Sequence, residues 1–261
     1  IDRSNSYNSR TLGRVHTPGV HINWWFDVNK KWQFRVNHKM YLPIQRLTLK
    51  YIGAMADTTF TRRSTQIRVY NSFISLDTKD YKHSFYLHYG LDPQTPNLRY
   101  MVRATDDADP LNVTRSGKAL KDILYYYTKL TYDYRGSVMV SPSIYYNRTN
   151  NAVSMGYVYD KATGRRTVTP ASINGNWRAG AGLSLSGALD KKRLLVFSNN
   201  LNADFVNSAD YIGSDEVKPM GKSIVKTWNV SERLRLDYKI GRHSIGFSGN
   251  FSWLRSASDM A

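Results

Sequence analysis

The stretch GRHSIGFSGNFSW, residues 241–253, sorts its side chains into two kinds with a period of two. One set of alternate positions is apolar or glycine: Ile245, Phe247, Gly249, Phe251 and Trp253. The other set is small and neutral: Ser244, Gly246, Ser248, Asn250 and Ser252. This period is typical of a β-strand, whose successive side chains point to opposite faces. The polar side lacks the lysine, glutamate and arginine of a solvated strand face. Neither side of the strand therefore has the composition of an ordinary solvated surface.

The same alternation returns in about ten segments along the chain. Short turns centre near residues 30, 80, 135, 191 and 242. Longer polar connections lie between them, at roughly 54–64, 93–122, 148–169 and 208–222. The segment 65–76 is less regular, because Ile67, Val69 and Phe73 share a face with Asn71 and Ser75. The sequence predicts ten antiparallel strands in which short turns alternate with long irregular loops.

The length of these segments favours a membrane barrel over a water-soluble sandwich. They alternate over about 10–15 residues, whereas strands of soluble proteins average about 5–6. A strand of about 12 residues, tilted by about 40°, rises about 30 Å, which is enough to cross the apolar band of an outer membrane. We predict an all-β fold, an antiparallel transmembrane β-barrel. The alternative is a soluble all-β protein whose aromatic residues pack a core and which binds carbohydrate or nucleic acid.

The polar positions of the predicted strands define a candidate lumen surface. The members of this surface that could bind a solute or a plug through charge or hydrogen bonds are Arg35, Lys39, Arg178, Asn200, Asn202, Asp204, Arg233 and Arg235. The net charge of +17 is compatible with attraction of an anionic solute, an acidic plug or anionic lipid head groups. These cations could equally balance nearby acids, namely Asp27, Asp133, Asp204 and Asp237. Because the basic residues are dispersed rather than gathered in one motif, we expect no nucleic-acid partner.

The sequence contains no motif of a known catalytic site. It has no G-x-S-x-G, no P-loop and no H-E-x-x-H, and with no cysteine it has no thiolate ligand or nucleophile. Its six histidines are scattered. We therefore expect no enzymatic activity, no cofactor and no metal site.

The connection 96–122 reads PNLRYMVRATDDADPLNVTRSGKALKD. It resembles the Bacteroidetes-type TonB-dependent receptors, in which a loop of the form DPLN…GNPxLKPE precedes a tyrosine-rich strand. The residues that match are Asp109, Pro110, Leu111, Asn112, Leu120 and Lys121, followed by ILYYYTKLTYDY. Ser116, Gly117, Lys118 and Asp122 depart from the family pattern. The hairpin rhythm is similar over most of the chain.

The resemblance implies an outer-membrane barrel that takes part in nutrient uptake. It implies a plug domain inside the barrel, energy from the TonB system, contact with outer-membrane lipid and lipopolysaccharide, and a surface lipoprotein as a further candidate partner above the barrel. The long loops would face outside. A channel or structural barrel without a plug is the alternative.

Strand direction predicts that residues 1–261 are one part of a larger barrel domain. If the turn at 29–31 is periplasmic, the first strand runs downward and the last runs upward, which differs from a complete barrel with periplasmic termini. We therefore expect the plug and the remaining strands to lie outside this chain. A closed barrel of ten strands is the alternative.

Overall fold

The computed structural model describes residues 7–53, 57–101, 109–115, 120–212 and 221–259. Within these ranges the chain is all-β, with strands β1 to β16 and one short 3₁₀-helix, Leu98–Met101. Among the described residues no helix has the length and apolar character needed to span a bilayer. The predicted all-β class is confirmed.

Ten strands form one antiparallel sheet, and each lies in one of the ten predicted segments. They are β2 (Gly19–Asp27), β3 (Trp32–Tyr41), β6 (Arg68–Thr78), β7 (His83–Gln94), β9 (Ile123–Arg135), β10 (Val138–Asn150), β13 (Asn176–Ala188), β14 (Leu195–Ile212), β15 (Gly221–Ile240) and β16 (His243–Ser258). Their order across the sheet is the reverse of their order along the chain. The sheet is therefore a meander of hairpins.

The five predicted tight turns lie at one end of this sheet. In the first, the side chain of Asn29 accepts hydrogen bonds from the backbone N–H groups of Lys31 and Trp32, at 2.8 and 3.0 Å. In the last, Gly241 has a φ of 57°, a conformation that glycine adopts at little cost. Asp190 accepts the backbone N–H of Leu195 at 2.8 Å. Each of these three turns thus contains a side chain or a glycine that stabilises its backbone. The predicted positions of the five turns are confirmed.

A β-bulge explains the irregular segment 65–76. The register of β6 shifts between Val69 and Ser72 against β7, where Asn71 has a φ of 49°. The extra residue moves the following side chains to the opposite face. Val69 and Ile74 therefore lie on one side of the sheet, whereas Phe73 lies on the other, which corrects the expectation that Val69 and Phe73 share a face.

The predicted long loops are largely wrong, because strands occupy most of two of them. β1 (Tyr7–His16), β4 (Ile44–Gly53) and β5 (Asp57–Thr65) form a second sheet. β8 (Asn112–Thr114), β11 (Ala152–Asp160) and β12 (Arg165–Ile173) form a third. Residues 208–212 and 221–222, also expected in a loop, extend β14 and β15.

The small sheets continue strands of the main sheet beyond a bend. The order β1-β4-β5 repeats the order β2-β3-β6, and the ladder crosses the bend through Leu42 N–H to the Pro18 carbonyl at 2.8 Å. The sequence of β5, DTTFTRRST, carries threonine or arginine at most positions on both sides. Period-two hydrophobicity is therefore weak there, although threonine itself favours strands.

β2 and β16 are the edge strands of the main sheet, and within the described residues they do not pair with each other. The observed architecture is thus an open antiparallel sheet of ten strands with two small sheets at the end opposite the tight turns.

Candidate functional site on the polar face of the sheet

The burial of side chains is inverted relative to a water-soluble protein. In the described residues, the buried hydrophobic residues are Leu49, Leu98, Val113, Leu120, Ile173 and Ala209. The buried polar or charged residues are more numerous: Gln66, Ser72, Ser75, Asp77, Ser84, Ser154, Asp204, Asn207 and Ser223. Large apolar side chains are exposed on one side of the main sheet, including Ile144 at 58% and Phe247 at 62%. We call this side the apolar face and the opposite side, with Asp77 and Asp204, the polar face.

The total accessible surface reflects the open sheet. The chain exposes 17549 Å² at a mass of 30.0 kDa, whereas a compact soluble protein of this mass exposes about 11,700 Å². An excess of this size is expected of an open sheet, whichever side chains its faces carry.

Polar pairs interrupt the apolar face, and their members are hydrogen-bonded to each other, as two examples show. His38 Nδ1 lies 3.0 Å from Tyr89 Oη, and Asn199 Nδ2 donates to Glu232 Oε1 at 2.6 Å. Mutual pairing is how polar groups are accommodated in apolar surroundings.

Arg35, a predicted lumen residue, contacts a fully buried carboxylate on the polar face. Its Nη2 lies 2.9 Å from Asp77 Oδ2, and Ser75 donates its hydroxyl to the same oxygen at 2.9 Å. Strand register brings these groups together, because Arg35 pairs with Ser75 across β3 and β6. The pair and the serine thus stabilise one oxygen of a buried carboxylate, Oδ2, whereas Oδ1 is buried without a hydrogen-bond partner among the described residues.

Arg178 and Asp204, both predicted lumen residues, form a second ion pair. Arg178 Nη2 lies 2.6 Å from Asp204 Oδ2, and Tyr145 donates its hydroxyl to Asp204 Oδ1. The guanidinium of Arg178 lies 5.5 Å from the centre of the Tyr145 ring. Asp204 is only 7% exposed, so two charge-assisted hydrogen bonds hold it in place.

Gly180 provides the space for this cluster. A Cβ atom at residue 180 would lie 2.5 Å from Asp204 Oδ1 and 2.7 Å from Tyr145 Cε1. Gly180 pairs in register with both residues, through β10 and β14. The missing side chain therefore allows Tyr145 to lie flat across the strand.

Asn200, Asn202 and Arg233 line a cavity of about 510 Å³ beside the polar face, together with Ser231, Glu232, Asn250, Phe251 and Ser252. Arg233 Nε donates to Asn250 Oδ1 at 3.0 Å. The lining is rich in neutral amides and hydroxyls. These groups can hydrogen-bond water or an uncharged polar solute, and the volume matches that of small-molecule sites.

The other two predicted lumen residues lie apart from these clusters. Arg235 pairs with Asp237 on its own strand, at 2.7 Å. The backbone N–H of Lys39 donates to Ser72 Oγ at 2.9 Å. The alternative of charge balance by nearby acids is thus correct for Arg178 and Arg235. The sequence reading missed Asp77, since it lies where a turn was expected, and Tyr145, whose only signal is its alternation with Ser143.

The family-like loop residues anchor the connection between β7 and β9. Asp109 accepts hydrogen bonds from Asn112 Nδ2 at 2.7 Å and from the Leu111 N–H at 3.0 Å, and these bonds hold the pKa of Asp109 below its usual value. Pro110 lies inside this turn, and Asn112 begins β8, which pairs in parallel with β12. Ser116, Gly117 and Lys118 lie outside the described residues.

The second half of the motif packs on the polar-face side of the small sheet. Leu120 is 3% exposed, and its carbonyl accepts Arg62 Nη1 at 2.8 Å. Arg62 Nη2 also contacts Asp122 Oδ1 at 2.5 Å, and the Lys121 N–H donates to Ser172 Oγ at 3.0 Å. The loop is therefore fastened to both small sheets.

A scan of family models and a search of curated proteins give no match to this chain. Among the described residues, no group of three or more histidine, aspartate or glutamate side chains could hold a metal ion.

Proposed function

We propose that this chain is part of an outer-membrane β-barrel of the TonB-dependent receptor type, acting in nutrient uptake in the bacterial outer membrane. The observation that carries the proposal is the inverted burial of the ten-stranded sheet. Its exposed aliphatic and aromatic face suits lipid, and its paired charges and amides suit a hydrated lumen or a plug. A larger barrel would supply strands to pair with β2 and β16.

The resemblance of the loop 96–122 supports the uptake role. In this proposal the polar face contacts the plug or the solute, and the connection that contains Asp109 and Leu120 lies on the outer side. The further candidate partners are outer-membrane lipid and lipopolysaccharide, the TonB system and a surface lipoprotein.

Vesicle flotation tests the membrane location. The protein, refolded in the presence of phosphatidylcholine vesicles, should float with them in a density gradient and should keep its strands protected from protease. A detergent-free soluble protein with a cooperative melt would overturn the proposal in favour of a soluble all-β protein.

The cavity beside Asn200 and Arg233, which is lined mostly by amides and hydroxyls, favours one second candidate, a passive channel without a plug. Conductance of the full-length protein in a planar bilayer separates the two. A receptor whose barrel is filled by a plug should give no steady current, whereas an open channel should give a stable ohmic conductance.

A further inference from the structure

Three arginines form one row across the small sheet β1-β4-β5. Arg14 pairs in register with Arg46, and Arg46 pairs with Arg63. The three side chains therefore share a face, and all three residues are exposed. Like charges directly opposite each other on neighbouring strands destabilise a sheet. We call Arg14, Arg46 and Arg63 the arginine row.

Among the described residues, no acid neutralises the arginine row, because none of its members forms an ion pair there. Arg10 and Lys50, paired in register four residues further out, add two exposed cations to the same face.

The arginine row lies on the same side as the apolar face. Along β3 and β4, the alternate residues Met40, Leu42 and Ile44 are 41, 40 and 44% exposed, and Arg46 is the next in this series. On the neighbouring chain segment, Ile67 is 54% exposed, and Thr65 lies between it and Arg63 along the same alternate positions. The surface therefore changes from aliphatic to cationic within one step of the alternation at Arg46 and within two steps at Arg63.

The height of this change matches the edge of a hydrocarbon layer. From Trp32 to Tyr41, the bounds of β3, the strand advances nine residues, about 30 Å, which at a tilt of about 40° is a rise of about 23 Å. The apolar band of outer-membrane barrels is about 25 Å tall. Arg46 therefore lies at the level where hydrocarbon gives way to head groups.

The same change occurs at the opposite edge of the sheet. Trp228 and Trp253 are 51 and 45% exposed on the apolar face. The next outward positions toward the same end are Lys226 on β15 and Arg255 on β16, both exposed. Cations therefore follow the apolar band near both edge strands of the ten-stranded sheet, at the end opposite the tight turns.

We propose that the arginine row binds the phosphate groups of anionic lipids in the outer leaflet of the membrane. This inference rests on the proposed membrane location. The guanidinium group matches phosphate with paired N–H donors, and the bound anions relieve the repulsion within the row. The aliphatic residues directly below the row fit the acyl chains of the same lipids, which favours a lipid over an acidic protein.

Electron paramagnetic resonance of spin-labelled lipids tests the proposal on the whole chain in phosphatidylcholine vesicles. A trace of labelled phosphatidylcholine reports insertion, and a trace of labelled phosphatidylglycerol reports preference for an anionic head group. The test variant is Arg14→Gln/Arg46→Gln/Arg63→Gln. The matched control, Lys30→Gln/Lys192→Gln/Arg242→Gln, removes three exposed cations from the tight turns.

One arginine near the membrane surface should strengthen the binding of an anionic lipid beside it about fivefold. Averaged over all the lipids that contact the protein, we expect the test variant to lower the association constant of phosphatidylglycerol relative to phosphatidylcholine by at least about twofold. The control should keep most of the preference. The variant Arg14→Lys/Arg46→Lys/Arg63→Lys should also retain the preference for phosphatidylglycerol. If the test variant does not insert, Arg46→Gln alone should insert and should show a smaller loss of that preference.

The alternatives are distinguishable. Absence of motionally restricted phosphatidylcholine with the unmodified chain would overturn the membrane location itself. Normal insertion with no loss of preference in the test variant, or an equal loss in test and control, would overturn the lipid site alone and would assign the row to another anion, such as an acidic protein.

Discussion

The two faces of the ten-stranded sheet differ in which side chains are buried and which are exposed. On the polar face, Asp77 and Asp204 are almost fully buried, and an arginine holds each of them. On the apolar face, Ile144 and Phe247 are more than half exposed, and the carboxylate of Glu232 is bonded to an amide. A water-soluble sheet has the reverse distribution, with apolar groups covered and charges in solvent. The difference teaches that exposure to water alone does not explain this sequence, and it supports lipid on one side.

The largest expected effect breaks this comparison directly at Ile144. Ile144→Arg should destabilise the chain in vesicles by about 2–4 kcal/mol, because a cation near the middle of the bilayer loses its hydration. On a soluble sheet the same exposed position should tolerate arginine within about 0.5 kcal/mol. Urea unfolding in vesicles measures the difference.

Ser143 provides the control for Ile144, since it is the neighbouring residue of β10 on the polar face. Ser143→Arg should cost clearly less than Ile144→Arg. Equal costs at both positions would contradict the assignment of lipid to one face.

Asp204 sharpens the comparison from the polar side. Asp204→Asn keeps the shape of the side chain but leaves Arg178 without its counter-ion, so we expect a loss of about 1.5–3 kcal/mol in the free energy of unfolding. Asp237→Asn removes a carboxylate from Arg235, which is 64% exposed in its side chain, and should cost less than about 1 kcal/mol. A loss at Asp237 as large as that at Asp204 would show that burial is not what matters.

Glycine gives a smaller effect that again depends on the face. Gly180→Ala places a methyl group against Asp204 and the Tyr145 ring, and overpacking of this kind costs about 1–3 kcal/mol. Gly249→Ala, in the edge strand β16, meets nothing closer than 3.9 Å and should be nearly neutral. Thermal melts of the two variants in one detergent compare them, and equal melting temperatures would refute close packing at Gly180.

The smallest expected effect concerns the pH dependence of the loop at Asp109. Hydrogen bonds from Asn112 and Leu111 lower the pKa of Asp109 in the folded state. A lowered pKa means that its contribution to stability is present above the ordinary aspartate value of about 3.9 and is lost as the pH falls through the lowered value. Exchange of the Leu111 amide hydrogen should therefore lose protection at acid pH.

Asp109→Asn is the control for that pH effect, because an amide does not titrate in this range. The ratio of exchange protection between the two forms should change only at acid pH. A constant ratio down to the acid limit would mean that ionisation of Asp109 does not hold the turn.

Period-two alternation predicted the ten strands of the main sheet and their tight turns, because one face of each strand is apolar. It failed for β4, β5, β11 and β12. β5 and β12 carry threonine, serine or arginine on both sides, so no continuous apolar stripe marks them. β4 does alternate, because Leu47 and Leu49 oppose Arg46, Thr48 and Lys50, and the prediction missed that stripe. Parity also failed at Phe73, because a single inserted residue at a bulge reverses the faces of all residues that follow.

The candidate site was predicted in part for the same reason. Strand parity placed Arg35, Arg178 and Asp204 on one face, and this placement is correct. Parity gives no partner, however, so the pairing of Arg35 with Asp77 and the space left by Gly180 could not be read from it.

The sequence by itself determined the ten strands of the main sheet, their tight turns and the separation into an apolar and a polar face, because these depend on residues near one another in the chain. The tertiary structure decided which charges meet and where the cations collect. Arg14, Arg46 and Arg63 lie far apart in sequence and form a row only because strand register aligns them. Register is a property of pairs of strands, and it therefore appears only when the chain is folded.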